Sequence, residues 1–128
     1  MRALVVMALV AQPLLAIAAE GPPLVAAARE GDMARVEALL TFGADARATE
    51  ADGATALHWV SYHDEVETLD RLLAGGAEVN AVSDLGVSAL WTASENGSTA
   101  AVRRLLAAGA DPDLALLSGE TPVMVAAR

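Results

Sequence analysis

Cysteine and lysine are both missing from this 128-residue chain. Without cysteine it has no disulfide, no thiolate metal site, no cysteine nucleophile and no lipid-modified N-terminal cysteine to anchor it. The absence of thiols suits an oxidising compartment. Without lysine, all eight basic residues are arginine, set against 17 acidic ones for a formal net charge of -9. Nonspecific binding to nucleic acid or to anionic membranes needs a surplus of positive charge, so neither class fits. Long apolar runs are also scarce. Mean hydropathy is high, but most of the excess comes from alanine and from the first nineteen residues. The length suits one domain.

Those nineteen residues, MRALVVMALVAQPLLAIAA, open with a single charge at Arg2 and continue as an apolar stretch from Ala3 to Ala11. Gln12 and Pro13 interrupt it, and Ala16-Ile17-Ala18 then offers small residues where a signal peptidase reads them. The stretch is short for a bilayer span and has the three-part order of a secretory signal peptide. The expectation is export, cleavage before Ala19 or Glu20, and no stable membrane insertion afterwards. The Ala/Arg-rich, Lys-free composition points to a bacterial source and a periplasmic or secreted location.

A shift of 33 residues lays the remainder onto itself without a gap. Leu57 falls on Leu90, on Val123 and backwards on Leu24. Leu72-Leu73 falls on Leu105-Leu106 and on Leu39-Leu40. GGAEVN (75–80) aligns with AGADPD (108–113) and FGADAR (42–47), and DGATAL (52–57) with LGVSAL (85–90) and SGETPV (118–123).

Each unit reads as two helices and a turn. Thr55, Ser88 and Thr121 stand just before a helical pattern, where a side-chain oxygen accepts from unpaired backbone N–H groups. Pro23 and Pro122 suit a first helical turn. The first helix then carries small residues, Ala27-Ala28, Val60-Ser61, Ala93-Ser94 and Ala126-Ala127, which allow a neighbouring backbone to approach. The second helix has one apolar stripe: Met33, Val36, Leu39 and Leu40; Val66, Leu69, Leu72 and Leu73; Val102, Leu105 and Leu106. Gly43, Gly76 and Gly109 follow as left-handed helix ends.

This pattern resembles the ankyrin repeat, whose signature T-P-L-H-x-A is matched by TALHWV (55–60), SALWTA (88–93) and TPVMVA (121–126). The resemblance covers essentially residues 22–128. It implies an all-α solenoid of stacked helix-turn-helix units with β-hairpin-like turns, in a domain over 20–128. The repeats run approximately 22–51, 52–84 and 85–117, with a partial unit over 118–128. Departures are Ala56 and Ala89 in place of Pro, Trp91 and Met124 in place of His, and Asp64 where Gly usually ends the first helix.

The segment DGATALHWVSYHD (52–64) holds both histidines and looks like an active site. The resemblance assigns His58 to hydrogen bonding at the helix start and places Leu57 and Trp59 inside the stack. A hydrolase would need Ser61, His63 and Asp64 to converge. At about 100° per residue, Ser61 and His63 point to nearly opposite sides of one helix, and His58 and His63 are poorly placed to share a metal. The reading is non-catalytic, with no cofactor and no metal. Trp91 is expected in core or inter-repeat packing. Glu65, Glu67, Asp70 and Glu78 read as a solvated outer face.

In proteins of the family it resembles, partners meet the concave helix face and the hairpin tips. The matching helix-end pairs here are Arg29-Glu30, Tyr62-His63 and Glu95-Asn96; the tips carry Glu50, Asp52, Ala54, Asp84, Leu85 and Val87. The expected partner-binding set is Arg29, Glu30, Asp52, Ala54, Tyr62, His63, Leu85, Val87, Glu95 and Asn96. The expected function is a monomeric module that binds another protein. The pattern stops within the first helix of a fourth unit, without the polar cap that solenoids normally have. That suggests a fragment of a longer array, and leaves open an accessory region of a longer secreted enzyme or anchored protein.

Overall fold

Helix starts recur at the period of the sequence repeat. A computed structural model describes residues 21–114, 116, 118, 119, 121 and 127 of the chain. Among these, three inner helices, α1 (Pro23–Glu30), α3 (Ala56–Tyr62) and α5 (Ala89–Glu95), alternate with three outer ones. The outer helices are α2 (Met33–Thr41), α4 (Val66–Ala74) and α6 (Thr99–Ala107). Inner helices pack side by side as one layer, outer helices as a second, and each inner helix rests on its own outer partner. The signal-peptide reading of residues 1–19 lies outside the described residues. So does the fourth inner helix expected from Pro122 to Arg128, apart from Ala127.

Local chemistry accounts for the helix limits. Pro23 stands at the first position of α1, where its missing N–H costs nothing. Ser88 Oγ accepts from Trp91 N at 3.0 Å to begin α5, and Asp32 Oδ1 accepts from Arg35 N at 3.1 Å to begin α2. At the far ends of the outer helices, Gly43, Gly76 and Gly109 take φ of 91°, 95° and 96°. Each lets the following alanine N–H turn back to a leucine carbonyl: Ala44 to Leu39, Ala77 to Leu72 and Ala110 to Leu105. This is the Schellman closure. Asp64 holds the left-handed turn between α3 and α4 at φ 58°, where the equivalent positions are Gly31 and Gly97. A short polar side chain tolerates that region better than most.

The core lies between the two layers. Ala27, Val60 and Ala93, each one period apart, are fully buried, and their small size lets the inner helices stack closely. Leu24, Leu57 and Leu90 from the inner layer meet Val36, Leu69, Leu72 and Leu105 from the outer one. Each fully buried leucine contributes about 1.5–3 kcal/mol of transfer free energy. The second leucine of each pair is less covered than its stripe implies. Leu40 faces the next unit near Gly75, and Leu106 remains 44% exposed because no outer helix follows α6 among the described residues.

The connections between units form paired tips. Thr49 and Thr55 make an antiparallel bridge, and Glu50 N donates to Ala54 O at 2.8 Å. One period later Ser83 N donates to Val87 O at 3.0 Å. Asp84 N then reaches the Asp52 carbonyl of the preceding tip at 2.8 Å, tying the two together. Gly53 is required here: its φ is 86°, and a Cβ would lie 3.3 Å from Ser83 Cα. Further back, Asn80 spans to the third unit, donating to Gly109 O at 3.2 Å and accepting from Asp111 N at 2.8 Å.

Candidate functional site

The dense segment at 52–64 resolves into separate structural tasks. Thr55 N donates to His58 Nδ1 at 3.0 Å, so that nitrogen carries the lone pair and Nε2 carries the hydrogen. Nε2 donates to the Val87 carbonyl at 2.7 Å, in the hairpin of the next unit. His58 therefore caps its own helix and ties it to its neighbour. Burial pushes its pKa below the usual 6.5, opposed by the Val87 hydrogen bond and by the nearby Asp52 carboxylate. Ser61 is fully buried and donates its hydroxyl to Leu57 O at 2.8 Å. His63 faces the preceding unit, with Nε2 placed 3.1 Å from the Arg29 carbonyl. Ser61 and His63 do not converge. Among the described residues, no three His, Asp or Glu side chains gather closely enough to hold a metal ion.

His63 and Asn96 stand one period apart and do the same work. Asn96 Nδ2 donates to the Tyr62 carbonyl at 2.7 Å, the rung equivalent to the one from His63 to Arg29. Both are also among the expected partner contacts; in the fold each serves the stack, capping the end of the preceding inner helix. Arg29 is likewise engaged, its guanidinium 2.7 Å from Glu50 Oε2. Glu50 also accepts from Trp59 Nε1, so one tip carboxylate joins the first two inner helices. On the outer face, Asp70 pairs with Arg104, and Glu78 lies 3.9 Å from Arg47.

Trp59 packs against the core, as its motif position implies, yet is half-buried and also lines the concave side. The reason is angular: Trp59 follows buried Leu57 by two residues, a rotation of about 200° around the helix, so part of its ring turns outward. Its ring meets Tyr62 edge to face, with centroids 6.0 Å apart, and Tyr62 meets His63 in the same manner at 5.2 Å. Edge-to-face contact is a favoured geometry for aromatic rings.

The Trp59 and Tyr62 rings form one wall of a groove of about 290 Å³ between α3, α5 and the two hairpin tips. Seven residues singled out from the sequence line it: Asp52, Ala54, Tyr62, Leu85, Val87, Glu95 and Asn96. Ala54, expected at an exposed tip, is buried in its wall. Arg29, Glu30 and His63 lie outside it. Trp59, Ser83, Trp91 and Thr92 also line it but were not singled out for binding. Two of them were legible in principle, since Trp59 and Thr92 occupy the same position of successive units. Tyr62 and Leu85 are 56% and 68% exposed, so the groove carries an uncovered apolar rim. Contiguous exposure of this kind marks interaction sites.

Trp91 occupies the position held by His58 one unit earlier. It is half-buried, and its indole N–H is buried without an acceptor among the described residues. His58 makes two bonds there; Trp91 substitutes ring area for them, and Ser88 alone caps the helix.

Stacked helix pairs, hairpin tips joined by backbone bonds and an aromatic groove on the concave side define a repeat solenoid. The chain belongs to the ankyrin repeat family: the family described as ankyrin repeats (3 copies) matches residues 60–128, and that described as ankyrin repeats (many copies) matches residues 24–73. Comparison with curated proteins gave no match. Ankyrin repeats are generally protein–protein interaction modules and are typically non-catalytic. No helix among the described residues is long and apolar enough to cross a membrane.

Proposed function

We propose that this chain is an exported, monomeric ankyrin module that binds a partner protein in the groove between its inner helices and hairpin tips. The observation that carries this reading is the groove itself, where Trp59, Tyr62, Trp91 and Leu85 gather on one side of the stack. Aromatic side chains supply contact area at low entropic cost and are enriched among residues that dominate binding energy. The other concave positions, Arg29 and His63, support the groove by holding the first two units in register. Export rests on the three-part order of residues 1–19.

One preparation tests both halves. Tagged protein recovered from the periplasm should begin at Ala19 or Glu20 and should retain a specific protein through washing. Tyr62→Ala, a change at an exposed ring, should release that protein while leaving the helical signal intact. Recovery of intact Met1 protein solely from the cytosol would sink the export claim. Retention unaffected by Tyr62→Ala would move the interface away from this groove.

A further inference from the structure

The groove combines two features that select for one kind of occupant. Its walls are aromatic, from Trp59, Tyr62 and Trp91, yet among the described residues the charged ones on its lining are both acidic, Asp52 and Glu95. No described arginine lines it, and Arg29, on the preceding inner helix, is already paired with Glu50. His58 reaches the groove but is neutral, its Nε2–H committed to Val87. Glu95 is exposed, with no ion pair to another described residue; Asp52 uses Oδ1 to accept from Ala54 N at 3.0 Å and keeps Oδ2. Asp84, exposed on the adjoining tip, adds a third carboxylate nearby.

An apolar occupant would strip water from these carboxylates and return nothing, a cost that buried charges do not tolerate. An acidic occupant would meet like charge. A cation gains from both features, because the faces of Trp and Tyr attract positive charge and the carboxylates neutralise it. Size narrows the choice further. About 290 Å³ is at the lower edge of the roughly 300–1,000 Å³ typical of small-molecule sites, and suits a single long side chain. Arginine fits better than lysine, since its planar guanidinium is weakly hydrated, stacks on aromatic rings and offers a fork of donors to carboxylates.

Building on the protein-binding reading above, we infer that the groove takes an arginine side chain from a segment of the partner protein. The guanidinium stacks among Trp59, Tyr62 and Trp91 and hydrogen-bonds to Glu95, with Asp52 completing the negative field. Recognition is then electrostatic as well as apolar, so binding weakens as salt is raised.

The test uses the full chain and random dodecapeptides displayed on phage, followed by synthesis of the selected peptides. Selected peptides should share an arginine. Replacing that arginine by citrulline, which keeps the shape and removes the charge, should weaken binding roughly tenfold, and Glu95→Gln should do about the same. Both Glu95 and Tyr62 are exposed, so their variants retain the fold; circular dichroism checks this. If selected peptides are apolar or acidic and are released by Tyr62→Ala, the groove binds protein but the arginine inference is overturned. Equal affinity for arginine and citrulline peptides overturns it as well. Failure to select any peptide sensitive to Tyr62→Ala or Glu95→Gln overturns both readings.

Discussion

Replacing His58 by alanine isolates the bond that joins the second unit to the third. Two hydrogen bonds disappear, from Thr55 N at 3.0 Å and to Val87 O at 2.7 Å. Each is worth about 0.5–1.5 kcal/mol net, and the buried Thr55 amide left without its acceptor adds about 1–3 kcal/mol. Val87 is half-buried, so its carbonyl can recover water and adds little. The expected loss is about 3 kcal/mol, a large part of the ~5–15 kcal/mol typical of a domain. Urea denaturation followed by circular dichroism at pH 7.5 reads it as a lower midpoint. The same variant carries a pH signature. Burial depresses the pKa of His58 in the folded state below 6.5, so the unfolded chain binds the proton more readily. Stability from this group is fully present above about pH 6.5 and falls as pH drops from there toward the folded-state value. His58→Ala should lack that decline. A loss under about 1 kcal/mol at pH 7.5, or an unchanged slope between pH 7.5 and 5.5, would refute the bridging role.

Two further substitutions test the stack. Leu72→Ala removes a fully buried side chain from between the layers and should cost about 2–5 kcal/mol in urea unfolding, with an unchanged m-value. His63→Ala should cost about 0.5–1.5 kcal/mol through loss of the bond to Arg29 O, whereas His63→Asn should retain most of it because asparagine makes the equivalent bond at Asn96. Equal losses for the two His63 variants would break the proposed equivalence.

The fold was legible from the sequence because its signals are local and recur. Leu-Leu pairs, Gly-Ala-acid turns and Thr or Ser helix starts each occur three times in one register, and α3 and α5 begin directly after Thr55 and Ser88. Part of the lining of the groove was legible for the same reason, through Asp52, Tyr62, Leu85 and Glu95. What was not legible is which side chains the stack itself uses. Whether His63 meets solvent or the Arg29 carbonyl depends on the offset between adjacent units, which no local pattern encodes. Trp59 packs against the core as its motif position implies, but its opening onto the groove went unread, because two residues along a helix from Leu57 turn part of the ring outward. Arg29 looked free until the Glu50 tip folded back against it.

The rungs from His63 to Arg29 and from Asn96 to Tyr62 share an asymmetry: the donor is a side chain, and the acceptor is a main-chain carbonyl. A carbonyl is present whatever residue stands there, so the acceptor needs no particular codon. Each 33-residue segment thus encodes its own half of the junction and finds the other half in any predecessor. An in-frame duplication of one segment would arrive already able to bond at both ends, with no second mutation needed to accept it. Growth by copying is therefore written into the junction chemistry, while groove residues such as Glu95 and Trp91, which take no part in the rungs, are free to diverge toward a partner.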